Sequence, residues 1–183
     1  MSEYRVAGRY AKSLLELAQE RNILDTVLND MQSFSTVLAQ NSELAYVLNS
    51  PIINSDKKLA VLKQVFEKSF NPLSIQFFGI IIRKNREQFL KAIADGFIEQ
   101  YNTLKNIAKA TVKSATALSD EVLAQITKHI EQQTGKTIIL SAKVDEKLIG
   151  GLVVQVGDRL FDASIAGKLG KLKNELLNSY ISK

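Results

Sequence analysis

The chain of 183 residues contains no cysteine and a single histidine, His129. Without cysteine there is no disulfide, no thiol nucleophile and no thiolate ligand, which fits a reducing compartment. One histidine leaves a zinc site of the usual kind without its ligands. A serine–histidine pair would have to use His129, and no serine sits in a nucleophile-elbow sequence. His129 lies one step off the apolar face of its helix, which reads as a solvent-facing position. No run of about 18 apolar residues is present to cross a membrane as a helix. The opening MSEYRVAGRYAKSLLELAQE carries acids early and lacks an apolar core with a small-residue cleavage site, so it does not read as a secretory signal. There is no G-K-[ST] and no GxGxxG.

What is there is a chain with 45% apolar residues, enough for a buried core, and a net charge of +5. A pI near 9.3 raises the question of nucleic acid. The basic residues are dispersed, however, and the longest uninterrupted basic runs are pairs such as Lys57-Lys58 and Arg83-Lys84. Binding stripes need clustered charge. A basic nucleic-acid-binding module is therefore the alternative reading, motivated by the pI and opposed by the dispersion.

The first ~105 residues read as six helices joined by short links. Val6, Ala7, Tyr10, Ala11, Leu14, Leu15 and Ala18 recur at three and four. Asn22, with Asp25 three residues on, is expected to cap a second helix whose apolar face is Leu24, Val27, Leu28, Met31, Phe34 and Leu38. A short helix around Leu44, Val47 and Leu48 ends at Asn49-Ser50-Pro51. Ser55 is expected to cap a fourth, with the stripe Leu59, Leu62, Val65 and Phe66. Asn71-Pro72 starts a fifth carrying Ile75, Phe78, Ile81 and Ile82. Phe89, Leu90, Ile93, Phe97, Ile98, Tyr101 and Leu104 mark the sixth. Such stripes can be buried only against one another, which predicts a helical bundle.

The pattern changes near Leu104-Lys105-Asn106. IAKATVKSA (107–115) alternates with period two and reads as a half-buried strand. Ser119 caps a helix with Leu123, Ile126 and Ile130 inward and Gly135 at its C-terminal end. TIILSAKV (137–144) is a second strand. The expected fold class is α+β: residues 1–105 form a six-helix bundle, and 106–183 form a small α/β domain with a β-hairpin.

The stretch DEKLIGGLVVQVGDRLFDASI raises the one question of chemistry. A phosphate loop needs glycine amides directly ahead of a helix. Gly150-Gly151 leads instead into Leu152-Val153-Val154, which is strand. Gly157-Asp158 is a hairpin turn, and Asp162 or Ser164 can cap a final helix with Ile165, Leu169, Leu172 and Leu176 on one face. Asp158 and Asp162 could converge on Mg²⁺ in a small hydrolase, or serve as turn residue and helix cap. Lys168, Lys171 and Lys173 could meet an acidic partner or form a solvated face.

GRYAKSLLELAQE, the six-helix first part and VDEKLIGGLVVQVGDRLFDASIAGKLGKL together resemble the delta subunit of the F-type ATP synthase, the family of the mitochondrial oligomycin-sensitivity-conferring protein. The resemblance runs from about Tyr4 to Leu177. Its specific part is apolar Ile138 and Leu140, Val144-Asp145, Leu148, Gly150-Gly151, Leu152, Val154, Gln155 and Gly157, followed by Asp158, Asp162 and Ser164. Arg9 stands where the family often has proline.

The resemblance implies a non-catalytic stator subunit without a cofactor or metal, one copy per complex. It would link the catalytic head to the peripheral stalk and resist rotor torque during proton-driven ATP synthesis. The helical domain would bind the N-terminal helix of an alpha subunit between its first and fifth helices. Tyr10, Ser13 and Leu14 would form one wall of that groove, and Phe78, Ile81 and Ile82 the other. The C-terminal domain would bind b-type stalk subunits, with no nucleic-acid partner. Membrane association would come only through the complex, on the cytoplasmic face of the bacterial inner membrane, since no transit peptide is apparent.

Overall fold

The computed structural model describes residues 3–146 and 148–170. The chain divides into two compact units, Met1–Leu104 and Lys105–Lys183. It is an α+β protein, with helices first and a small sheet after them.

The first unit holds α1 (Glu3–Glu20), α2 (Leu24–Gln40), α3 (Ser42–Asn49), α4 (Ser55–Phe66), α5 (Pro72–Arg83), a 3-10 turn at Glu87–Phe89 and α6 (Leu90–Leu104). Its core is the set of stripes read from the periodicity. Ala11, Leu14, Val27, Met31, Phe34, Leu62, Phe78, Ile81, Ile93 and Phe97 are all essentially closed to solvent. Phe34 is the hub of an aromatic cluster, with ring centroids 4.6 Å from Phe78 and 5.5 Å from Phe66. These separations lie in the favourable range for offset and edge-on pairs.

Helix ends are fixed by local chemistry. Asn71 accepts from the Leu73 amide while Pro72 opens α5, as its missing N–H costs nothing there. Asn41 caps α3 in the same way through the Leu44 amide. Two expected caps fall elsewhere. Asn22 does not start α2; it has φ +56° and closes α1, with Asn22 N–H donating to Gln19 O and Ile23 N–H to Ala18 O. That is a Schellman closure with asparagine in the left-handed position usually taken by glycine. Asp25, freed from any capping role, accepts instead from the Tyr101 hydroxyl at 2.7 Å. Ser55 is already helical, and Asn54 is the cap residue of α4.

The stripe of α4 is also displaced. Val65 is 49% exposed, whereas Lys58 is 1% exposed and pairs with Glu87. A cation thus occupies a position that periodicity assigns to an apolar residue. Leu104, expected inward, is 47% exposed.

The second unit holds β1 (Ile107–Ser114), α7 (Asp120–Thr134), β2 (Thr137–Val144), β3 (Leu152–Val156) and β4 (Arg159–Asp162). The sheet order is β2-β1-β3-β4. β1 runs parallel to β2, because a helix connects them, and antiparallel to β3. β3 and β4 form the hairpin. Ile130 of α7 packs on Ala110, Val112, Ile138, Val154 and Val156. Gly135 closes α7 at φ +65°. Beyond β4 the chain turns helical at 165, where Ile165 and Leu169 are exposed. Leu172, Leu176, Lys171 and Lys173 lie outside the described residues.

Candidate docking surfaces

The glycine-rich stretch builds structure. Gly151 has φ +80°, and a Cβ placed there would lie 2.5 Å from the Ala163 carbonyl oxygen and 2.9 Å from Ser164 Cα. Only glycine allows the segment after β4 to cross this closely. The crossing is fastened by backbone bonds, Ala163 N–H to Leu152 O and Ile165 N–H to Gly150 O, each 3.0 Å. A Cβ on Gly150 would press against the Ile165 side chain. Ser164 then caps the turn that follows, its hydroxyl accepting from the Gly167 amide, while Asp162 Oδ1 accepts from the Ser164 amide. Gly157, at φ +56°, takes the first position of the two-residue turn between Val156 and Arg159.

Asp158 and Asp162 do not converge. One lies in the turn ahead of β4 and the other ends β4 opposite Val153, so they stand about 13 Å apart along the strand. Among the described residues no three His, Cys, Asp or Glu side chains gather as metal ligands. The Mg²⁺-dependent hydrolase therefore has no site at this pair. His129 is exposed, within 3.1 Å of the Gln133 amide nitrogen.

The six residues expected to wall a groove separate into two groups. Leu14, Phe78, Ile81 and Ile82 are each at most 1% exposed and belong to the core of the helical unit. Ser13 is exposed, its hydroxyl donating to Arg9 O. Tyr10 is half-buried. Arg86, just beyond α5, donates to its hydroxyl at 2.8 Å and lies 5.5 Å from its ring centroid. Tyr10 and the end of α5 are thus joined by a hydrogen bond and a cation–π contact.

The face that α5 turns outward carries Ile80, 51% exposed, and borders a cavity of about 430 Å³ with Leu59, Lys63, Gln76 and Gly79. Sequence reasoning missed this face. The signal was PLSIQFFGIIIR itself, which is apolar on nearly every side, whereas a one-faced surface helix needs only a stripe.

In the second unit a groove of about 880 Å³ runs between α7 and the β3–β4 hairpin. Ile126, Ile130, Leu152, Val154 and Phe161 line it, and Arg159 and His129 stand at its edge. The opposite face of the sheet carries Lys109 and Lys113 on β1, with Lys143 in register beside Lys113. The register, which the sequence does not print, is what gathers these three lysines. Three phosphate contacts would give only shallow, weak binding, so the patch adds little to the nucleic-acid reading.

The sequence matches the family model described as ATP synthase delta (OSCP) subunit over residues 6–176. The ATP synthase subunit delta of Chlorobaculum parvum is 37% identical, covering 97% of this chain and 98% of that one. The subunit of the same name from Salinibacter ruber is also 37% identical, covering 100% and 96%. In fold, the chain is similar to one in the cryo-EM structure of the Toxoplasma gondii mitochondrial ATP synthase hexamer. That likeness has a TM-score of 0.73 at 24% identity, covering 93% of this chain and 97% of that one.

Proposed function

From the premise that this chain belongs to the ATP synthase delta (OSCP) subunit family, we propose that it is a non-catalytic stator part. It joins the alpha subunit of the catalytic head to the b-type peripheral stalk. One copy serves each complex, and its membrane association, at the cytoplasmic face of a bacterial inner membrane, comes only through the complex. The carrying observation is a family match that spans both structural units at relatives' full length. No described helix is long and apolar enough to cross a membrane, which fits attachment through partners.

A stator contact must hold against torque for many rotor cycles, so it needs slow dissociation. Helix-in-groove docking provides this by burying i, i+3, i+4 anchors. The helical unit offers the alpha segment its α1 and α5 faces. Tyr10 and Ser13 are the accessible members of the expected set, and Ile80 is an apolar anchor on α5. Leu14, Phe78, Ile81 and Ile82 stiffen these helices from inside. The Arg86–Tyr10 contact holds the ring as a fixed wall.

The test is calorimetric titration of the intact chain with a synthetic peptide of the alpha-subunit N-terminus from the same organism. A 1:1 complex tighter than about 1 μM, or about −8 kcal/mol, is expected. Ser13→Arg and Ile80→Asp, both on the surface, weaken it by about tenfold or more while the helical signal is retained. Ile81→Asp is uninformative, because that side chain is fully buried. A peptide that does not bind wild-type protein would sink the alpha-docking arm of the proposal.

A further inference from the structure

β2 is an edge strand, because the order β2-β1-β3-β4 leaves it one neighbour. Its backbone groups divide by parity. Thr137 N–H donates to Asn106 O and Asp145 N–H to Ser114 O, both toward β1. In a parallel ladder a residue's N–H and C=O point the same way, so the odd residues of β2 serve β1 and the even ones face outward. The first outward amide, that of Ile138, donates to the Glu131 carboxylate of α7 at 3.0 Å. Beyond it, no bond to a described residue closes off the outward groups of Leu140, Ala142 and Val144. The side chains of Ala142 and Val144 are exposed as well, Val144 by 56%. An open edge of this kind is a template for an added strand.

The sheet face turned away from α7 selects what would be added. It carries Lys109, Lys113 and Lys143, all exposed and none in an ion pair with a described residue. Lys113 and Lys143 stand side by side in the register, where like charges repel. Lysine on an edge strand is an ordinary guard against stray pairing. That accounts for Lys143 but not for Lys109 and Lys113, which are on the inner strand β1. A strand added outside β2 would lie about 5 Å from it and about 10 Å from β1, within reach of all three side chains. Every second residue of that strand would point onto the lysine face, and the others would lie beside Leu140, Ala142 and Val144. A second copy of this chain would bring its own lysines against these, so charge favours a different protein.

We propose that the β2 edge is a strand-addition site for an extended acidic segment of a partner protein, in which carboxylates alternate with apolar residues. The carboxylates meet Lys109, Lys113 and Lys143, and main-chain bonds to Leu140, Ala142 and Val144 set the register. The inference stands independently of the stator reading.

The test titrates the intact, isotope-labelled chain by NMR with a capped synthetic peptide of alternating valine and glutamate, about seven residues long to span the edge. Wild-type protein binds it, and exchange of the Leu140, Ala142 and Val144 amides slows about tenfold or more on saturation. Ala142→Pro deletes an outward N–H, a change that edge strands tolerate, and weakens binding about tenfold or more. Lys113→Glu weakens it by a factor that shrinks as salt is raised. Unchanged far-UV circular dichroism and melting establish that both variants fold. A control on the peptide needs no variant: N-methylation of every second amide abolishes binding in one phase and spares it in the other. No binding by wild-type protein, or loss in neither phase with Ala142→Pro within twofold, would overturn the edge assignment. Equal binding of the valine–lysine counterpart would overturn the acidic partner. Self-association of wild-type protein that Ala142→Pro removes would give the edge to a second copy, and would also overturn the proposal.

Discussion

Lys58 offers the most decisive perturbation of the helical unit. Its side chain is 2% exposed and pairs with Glu87, itself 14% exposed, across 29 positions of sequence. Glu87 Oε2 is buried and has no hydrogen-bond partner among the described residues. Lys58→Met keeps the aliphatic stem but leaves a carboxylate with neither counter-ion nor donor. Breaking a buried pair from one side costs about 3–5 kcal/mol. The residual exposure of Glu87 puts the loss at the lower end, about 3 kcal/mol. Glu87→Leu strands the ammonium and costs about as much. The double variant removes both charges, and should return to within about 1 kcal/mol of wild type.

The assay is urea denaturation followed by far-UV circular dichroism, because the signal is dominated by the helices and there is no tryptophan to report. With a slope of about 2 kcal/mol per molar, the single variants move the midpoint down by about 1.5 M and the double variant by about 0.5 M or less. If Lys58→Met cost under about 1 kcal/mol and the two losses simply added, the pair would be a solvated contact and the reasoning would be wrong.

Further outcomes follow from single contacts. Gly151→Ala forces a Cβ onto the Ala163 carbonyl at an already unfavourable φ; about 3 kcal/mol is lost, read as a fall in thermal midpoint. Burial raises the carboxyl of Asp30 above its ordinary 3.8, outweighing its bonds from Ser74 and the Asn71 amide. The folded state then holds a proton that the unfolded state has lost, so this group's contribution weakens as pH rises from 3.8 through the raised value. Asp30→Asn abolishes that slope, and the gap between wild type and variant should be larger near pH 4 than at pH 7. An unchanged gap in denaturation midpoints would contradict this. The hydrogen bond to Asp25, with burial and its charge adding, raises Tyr101 above 10.0. Stability therefore falls as pH rises beyond 10, and Tyr101→Phe removes that fall in an alkaline melting series.

Local signals were legible where one residue type has one local use. Asn71-Pro72 and Gly135 sit where their chemistry puts them. Asn22 was ambiguous because asparagine suits both an N-cap and the left-handed closure of the preceding helix; Asn85 and Asn106 also have positive φ. Lys58 escaped the pattern because its partner is distant in sequence, and periodicity cannot see a counter-ion. The open faces were hardest to read. Whether Ile80 or Ile81 points inward depends on how neighbouring helices cross, and the slot beside α7 exists only once β3 and β4 are placed next to β1.

The place of β1 also has a mechanical consequence. α6 ends at Leu104 and β1 begins at Ile107, so the chain enters the second unit directly through the middle strand of its sheet. Tension arriving along the backbone pulls that strand lengthwise against β2 on one side and β3 on the other. The two ladders are then loaded in shear and must fail together, instead of unzipping one bond at a time from an edge. Force spectroscopy should find the unit stiffer when pulled through residue 105 than when peeled from β4. Equal rupture forces in the two geometries would show that the central strand confers no such resistance.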